Sequence, residues 1–526
     1  MTITQWFIFF LAIQVIHFLG TWKLYVRAGR QAWEAAVPVY NAVVLMKIIN
    51  RPWWWTILLF IPIVNLIMFP VVWTETARSF GFNSYKDTAL VVLTCGLYLF
   101  YINYATDAPH IKERDLNPKS SNGEWVSSIL FAVVAATIVH TYFMQPFTIP
   151  SSSLEKTLLV GDYLFVSKFH YGARTPMTTV ATPMLHDSIP VAHVKSYASK
   201  PQLPYFRLPG FQSIKRNDIV VFSWPVDTLI DIRPAHMYGS VRKPIDKKSN
   251  YVKRCVGLPG DSLEVRDGYV YINGERNQLP DRAKLQFSYR MITNENISQS
   301  TFINRYEITD GVGRLRDNSG YYLPAATEEA ADRLGNRQGQ VNMIKDITPK
   351  GIADNDIFPY AASIPNNRDN FAPIYIPEQG KTVAITPESI PFYKRIIEVY
   401  EGYEMGLDNT IAVNGSEVTL NGNPITEYTF KQDYYWLMGD NRHNSQDARA
   451  WGYVPYNHVV GKPVFVWFSL DPNKKGFLNR IRWGRVFTTV GGDGELTSYR
   501  YHFLVVLLLY FGFNFFRKKK KQQKKA

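Results

Sequence analysis

The chain is expected to fold as a mainly β, antiparallel soluble part anchored by several transmembrane α-helices. Two observations predict it. Five apolar segments approach the length that spans a bilayer. Between the fourth and fifth lie short β-branched or aromatic runs, punctuated by Asp-Gly and Asn-Gly turns. At 526 residues the chain exceeds one ordinary domain, and 46% hydrophobic content with 15% aromatic suits a membrane protein that also has a soluble part. The two cysteines, Cys95 and Cys255, fall in an apolar run and a soluble stretch, so neither a mutual disulfide nor a zinc or CxxC motif is expected.

The apolar segments run roughly Ile3–Leu19, Trp53–Trp73, Thr88–Tyr104, Val126–Met144 and Tyr501–Phe516. The first lacks a basic start and a small-residue cleavage site, so it reads as an anchor rather than a leader. Basic residues set the orientation. Lys23, Arg27, Arg30, Lys47 and Arg51 separate segments one and two; Lys112, Arg114 and Lys119 separate three and four. The net charge of +14 is concentrated in the tail from Arg517 to Lys525. Beside an apolar run, such a tail reads as a cytoplasmic anchor on anionic lipid rather than a nucleic-acid site. With the N-terminus outside, the fourth segment runs outward and delivers about Gln145–Arg500 to the far side. A separate membrane domain with its own task is the alternative for the first three segments.

In the outer part, Tyr163–Ser167, Asp218–Phe222, Tyr251–Val256, Ser262–Val265, Tyr269–Ile272 and Val464–Phe468 are strand candidates. Asp267-Gly268 predicts a hairpin and Asn273-Gly274 the next turn. The pattern is then irregular to Lys431, with further turns at Asn414-Gly415 and Asn421-Gly422. The expected division is a membrane region with about three helices over 1–124 and a fourth helix over 125–145. The soluble core would cover 146–274 and 432–500, interrupted by a β-rich insertion over 275–431, and 501–526 would hold the last helix and basic tail.

Three boxes carry the chemistry. Ile149-Pro-Ser151-Ser152-Ser153-Leu154 follows the fourth apolar segment directly. Tyr251-Val-Lys253-Arg254-Cys-Val-Gly257-Leu-Pro259-Gly260-Asp261 follows downstream. Met438-Gly439-Asp440-Asn441-Arg442-His443-Asn444-Ser445-Gln-Asp447-Ala-Arg449 comes last. A serine hydroxyl needs a base to become a nucleophile. Spacing alone does not choose among Ser151, Ser152 and Ser153, and Ser152 with Glu155 would also suit a helix capping box. Lys253 lies within an apolar strand, where lost hydration lowers a lysine pKa towards a neutral base. His443 sits in a polar loop and reads as solvated. Ser153-Leu-Glu-Lys156 also spells S-x-x-K, the start of penicillin-recognising enzymes, although their Ser-Asp-Asn and Lys-Thr-Gly partners are missing. A membrane assembly protein on a degenerate peptidase scaffold is the non-enzyme alternative, which the presence of both Ser153 and Lys253 opposes.

The ordered boxes closely resemble type I signal peptidase, the membrane-bound Ser/Lys protease that removes secretory signal peptides. The resemblance covers roughly Gln145–Gly274 and Tyr434–Ser469. It implies Ser153 as nucleophile and Lys253 as general base, and an oxyanion hole made by the Ser153 backbone N–H and Ser151. Ser445 would orient the lysine, with Arg254, Asp440, Asp447 and Arg449 in support, Arg254 pairing with Asp440. The family usually carries Met at Leu154, Pro at Lys156 and often Asp at His443. It further implies a shallow groove, preprotein substrates with Ala-x-Ala-like cleavage sites, no metal or cofactor, and no nucleic acid. The location would be a bacterial inner (plasma) membrane, multi-pass, with the catalytic domain outside the cytoplasm and the tail inside.

Overall fold

A computed structural model describes residues 1–117, 120–229, 241–337, 341–361 and 363–523. Lys119, Lys524 and Lys525, which entered the charge argument, lie outside the described residues. The chain forms two compact units. One comprises Met1–Phe143, Arg174–Leu208 and Asp227–Lys248; the other comprises Met144–Ala173, Pro209–Val226 and Ser249–Ala526.

In the first unit, helix Ile3–Arg27 starts at a capping box, Thr2 with Gln5. Phe7, Ile8 and Ile3 on it are exposed, whereas Leu24 and Tyr25 are buried against Val44, Met46 and Ile102. An apolar face open to the surroundings on a helix of this length suits lipid. Among the described residues, two helices are long and apolar enough to cross a membrane, Ile3–Arg27 and Ser121–Phe143. The other apolar runs differ from the expected single spans. Trp53–Trp73 breaks into helices Trp55–Leu58 and Val64–Ser79, because Pro62 interrupts the run and Ile63 takes a left-handed φ of 70°. Thr88–Tyr104 breaks between Tyr85–Leu93 and Tyr98–Ala105, which meet at 115°. Cys95 and Gly96 have φ of 50° and 84°, and a Cβ on Gly96 would lie 2.7 Å from the Trp73 ring. The segment Arg174–Leu208 packs within this unit: Ala181 and Tyr197 cluster with Ile63, and Trp6 Nε1 donates to the Gln202 carbonyl at 2.9 Å.

The second unit is built on an eight-stranded antiparallel sheet. Its strands are β1 (Met144–Thr148), β2 (Asp162–Ser167), β3 (Ile219–Ser223), β4 (Asn250–Gly257), β5 (Tyr434–Met438), β6 (Val454–Pro455), β7 (Val459–Ser469) and β8 (Thr488–Thr489). The order is β1-β2-β7-β3-β4-β5-β6, with β8 added to β7. Each strand candidate from the sequence lies in or against an observed strand, and the β-branched composition explains why. Asp267 and Gly268 both take positive φ (49° and 82°), the turn that joins Ser262–Arg266 to Tyr269–Ile272. Asn273-Gly274 and Asn421-Gly422 do the same at their own hairpins.

Residues 275–431 contribute a four-stranded sheet, Gly313–Arg314, Gly320–Thr327, Gln286–Ile292 and Asn342–Lys345, packed on helices Gln299–Tyr306 and Glu328–Gly335. Another part returns to the first hairpin, where Phe371–Tyr375 pairs with Ser262–Arg266. One hydrophobic core therefore runs from Val256, Leu263 and Val265 through Phe358, Phe371 and Ile376 to Trp436 and Met438. The final helix, Arg500–Gln523, exposes Leu508, Leu509, Phe513 and Phe516.

Candidate active site

The turn between β1 and β2 carries the serines. Its ends are tied by Ile149 N–H to the Asp162 carbonyl and Gly161 N–H to the Ile149 carbonyl, both at 2.9 Å. Leu154 and Leu158 plug the core formed with Val166, Val221 and Val466. That anchoring turns Ser153 inward, so it is buried, while Ser151 is exposed. The turn is not an α-helix, and the Ser152–Glu155 capping box does not form: Ser152 Oγ donates to Asp310 Oδ2 at 3.0 Å instead.

β4 brings Lys253 to this serine. Lys253 Nζ donates to Ser153 Oγ at 2.5 Å. The lysine is 3% exposed, and burial lowers its pKa to about 8, with Asp447 and Asp440 pulling upward and Arg449 assisting the decrease. Once neutral, the amine accepts along the same line that it donates along when charged. Lys156 lies elsewhere: its Nζ donates to the Glu307 carbonyl at 2.5 Å. Without a helical turn the S-x-x-K residues do not share a face, so the rival spacing is not realised.

The third box leaves β5 and folds behind the pair. A Cβ on Gly439 would lie 2.2 Å from Ser445 Oγ and 2.6 Å from the Ser153 carbonyl, so only glycine allows this approach. Asn441 N–H donates to that Ser153 carbonyl at 3.2 Å. Asp440 receives Arg254 bidentately, at 2.8 and 2.6 Å, and Thr157 Oγ1 at 2.7 Å. Burial favours the protonated Asp440 carboxyl, but Arg254 outweighs it and holds the pKa low. Asp447 is likewise buried, yet the Arg449 guanidinium, bonded at 2.9 and 2.8 Å, keeps it at about 2; it also accepts Gly439 N–H at 3.0 Å. Ser445 is buried beside Gly439, but the expected bond to Lys253 is not formed here: among the described residues its Oγ has no hydrogen-bond partner, and the lysine bonds Ser153.

His443 is not solvated. Ser288 N–H donates to its Nδ1 at 2.8 Å, which places the ring proton on Nε2, and Nε2 donates to Asp369 Oδ1 at 2.7 Å. Both partners come from 275–431, a contact that a polar loop read by itself does not reveal. Asp310 was also missed, because no motif surrounds it. Thr157 stands in the serine segment and could have been found only by knowing which way the turn faces.

A buried cationic lysine costs stability wherever the unfolded chain still binds the proton more tightly. The cost is full below about pH 8 and disappears as pH rises from 8 to the ordinary 10.5. Lys253→Met is therefore expected to gain stability relative to the parent as pH falls from 10.5 to below 8, by about 3 kcal/mol. Denaturant titrations at pH 7 and pH 10.5 measure this; a stability difference that does not change with pH contradicts the buried-charge assignment.

Comparison with known proteins gives the family. Residues 122–317 and 409–468 match the family described as "Signal peptidase, peptidase S26", and residues 33–113 match a family of unknown function (DUF5684). The class is thus a serine peptidase on an antiparallel β domain. Curated relatives named "Signal peptidase I" include that of Rickettsia massiliae, 30% identical over 67% of this chain and 81% of the relative. That of Buchnera aphidicola subsp. Acyrthosiphon pisum is 25% identical (67% and 77%), and that of Helicobacter pylori 24% (70% and 92%). The chain belongs to the signal peptidase I family, serine endopeptidases that remove signal peptides.

Proposed function

We propose that Ser153 and Lys253 are the catalytic dyad by which this peptidase cleaves N-terminal signal peptides from secreted preproteins. The observation that carries it is the 2.5 Å contact between two buried groups, a hydroxyl and an amine whose burial favours the neutral form. Neutral Lys253 takes the Ser153 proton as the oxygen attacks the scissile carbonyl, and the serine becomes acylated while the mature protein's amine leaves with a proton. Lys253 then deprotonates the water that releases the signal peptide. The Ser153 N–H and the Ser151 hydroxyl form the oxyanion hole, stabilising charge present only in the transition state. In this reading Ser445, buried beside Gly439, orients Lys253, and Arg254, Asp440, Asp447 and Arg449 brace the lysine and its loop. The substrate adds as an extended strand with small residues at its first and third positions before the cut, the Ala-x-Ala rule. Incubation of the purified protein with a secretory precursor, followed by N-terminal sequencing of the product, tests this: the cut should follow an Ala-x-Ala-like site. A cut elsewhere, or none, contradicts it.

The membrane arrangement is proposed on charge placement. With the N-terminus outside, the two long helices, the run Trp53–Trp73, the bent pair and Arg500–Gln523 each cross the bilayer, giving a multi-pass protein of the bacterial inner (plasma) membrane whose residues 145–500 lie outside the cytoplasm. Residues 1–124 then form the membrane region, and 125–145 the helix leading into the catalytic domain. The catalytic core comprises 146–274 and 432–500, with 275–431 inserted, and 501–526 returns the chain to the cytoplasm. Cysteine labelling from outside spheroplasts should reach a probe at Asn318 and not one at Lys524; protection of Asn318 inverts the topology.

A further inference from the structure

The turn that carries Ser153 is held by a segment outside all three boxes. Lys156 Nζ reaches the Glu307 carbonyl at 2.5 Å and its carboxylate at 3.5 Å. Thr309 Oγ1 donates to Glu155 Oε1 at 3.3 Å, and Ser152 Oγ donates to Asp310 Oδ2 at 3.0 Å. That same Asp310 oxygen accepts Asn441 Nδ2 at 2.8 Å and Asn444 Nδ2 at 2.9 Å. Asn441 in turn bonds the Ser152 carbonyl through Nδ2 at 3.3 Å and the Ser153 carbonyl through its N–H at 3.2 Å. One carboxylate oxygen therefore gathers donors from the residue before Ser153 and from the loop that contains Ser445.

The segment is itself firmly placed. Glu307 ends helix Gln299–Tyr306 in the left-handed conformation, φ 57°. Ile308 is fully buried with Phe302, Tyr306 and Leu323 in the core of the inserted sheet. A strand-and-helix body with its own core thus presents Glu307, Thr309 and Asp310 to the serine turn. Lys156, which departs from the family pattern, is accounted for by its exposed contact with Glu307, whereas Ser152 and Glu155 meet Asp310 and Thr309 nearer the nucleophile.

We propose that Asp310 is a positioning residue for the nucleophile, and that through it the inserted segment forms part of the working active site. The proposal rests on the reading of Ser153 and Lys253 as the dyad. Charged acceptors hold such donors more strongly than neutral ones. An asparagine in place of Asp310 removes the charge and turns an NH2 towards donors in one of its two orientations. Ser153 then loses its fixed line to Lys253, and small misplacements of reacting groups cost rate steeply.

The test measures precursor cleavage by the full-length protein in proteoliposomes, with rates normalised to folded enzyme. Asp310→Asn is expected to lower kcat about 10- to 100-fold, with KM within about twofold. Asp310→Glu, which keeps the carboxylate, is expected to recover part of that loss. A kcat for Asp310→Asn within twofold of the parent overturns the proposal, as does a loss confined to KM, or an Asp310→Glu variant no better than Asp310→Asn. Parent enzyme that leaves the precursor uncut, or Ser153→Ala that still cuts it, instead overturns the dyad on which the proposal stands.

Discussion

Ser153→Ala and Lys253→Ala are each expected to abolish precursor cleavage, a loss of about 10⁴-fold or more, while the protein remains folded in membranes. Alanine at 153 removes the oxygen that attacks. Alanine at 253 leaves that oxygen protonated, since among the described residues Lys253 is the base bonded to it. Because the two act as a unit, the double variant should be no slower than either single one. Lys156→Ala is expected to keep most activity, since its amine reaches Glu307 rather than Ser153, and its ion-pair partner is 70% exposed. Ser151→Ala should lose tens- to hundreds-fold, on the order of one oxyanion donor. Initial rates on one precursor separate these cases. Dead Lys156→Ala beside active Lys253→Ala contradicts the assignment.

Asp447→Ala is expected to destabilise the soluble part by about 3–5 kcal/mol, because Arg449 would remain buried without its carboxylate. Gly439 N–H would lose its acceptor in the same step, and with it the loop that backs the Ser153 carbonyl. The pH dependence has a definite sign. Asp447 is held at about 2 against an ordinary 3.8, so its contribution is present above about pH 3.8 and is lost as pH falls through about 2. Denaturant midpoints measured from neutral to acid pH should fall for the parent in that window, and less for the variant. A variant as stable as the parent at pH 7 contradicts the role given to this pair.

Much of the fold was legible because β-branched runs and Asp-Gly or Asn-Gly turns act locally. The hairpin at Asp267-Gly268 needs nothing beyond its own residues. The site was legible through the order of its boxes, which put Ser153, Lys253 and the Gly439–Arg449 loop into one family pattern. Long-range pairing was not legible. Nothing near Phe371 announces that it pairs with Val265, nor near Asp310 that it receives Ser152. Membrane segments were legible as composition but not as geometry. Hydropathy does not register the left-handed residues Ile63 and Cys95, where two expected spans break. Ser445 shows a similar limit, since the box implied a bond to Lys253 but the structure packs its hydroxyl against Gly439 without that bond.

The most direct measurement is kcat/KM for precursor cleavage across neutral and alkaline pH, in the parent and in His443→Ala. With Lys253 as the base, both proteins should lose activity below a single limb near pH 8, where the buried ammonium gives up its proton. A limb near the ordinary histidine value of about 6.5 that vanishes in His443→Ala would contradict the Ser153–Lys253 dyad.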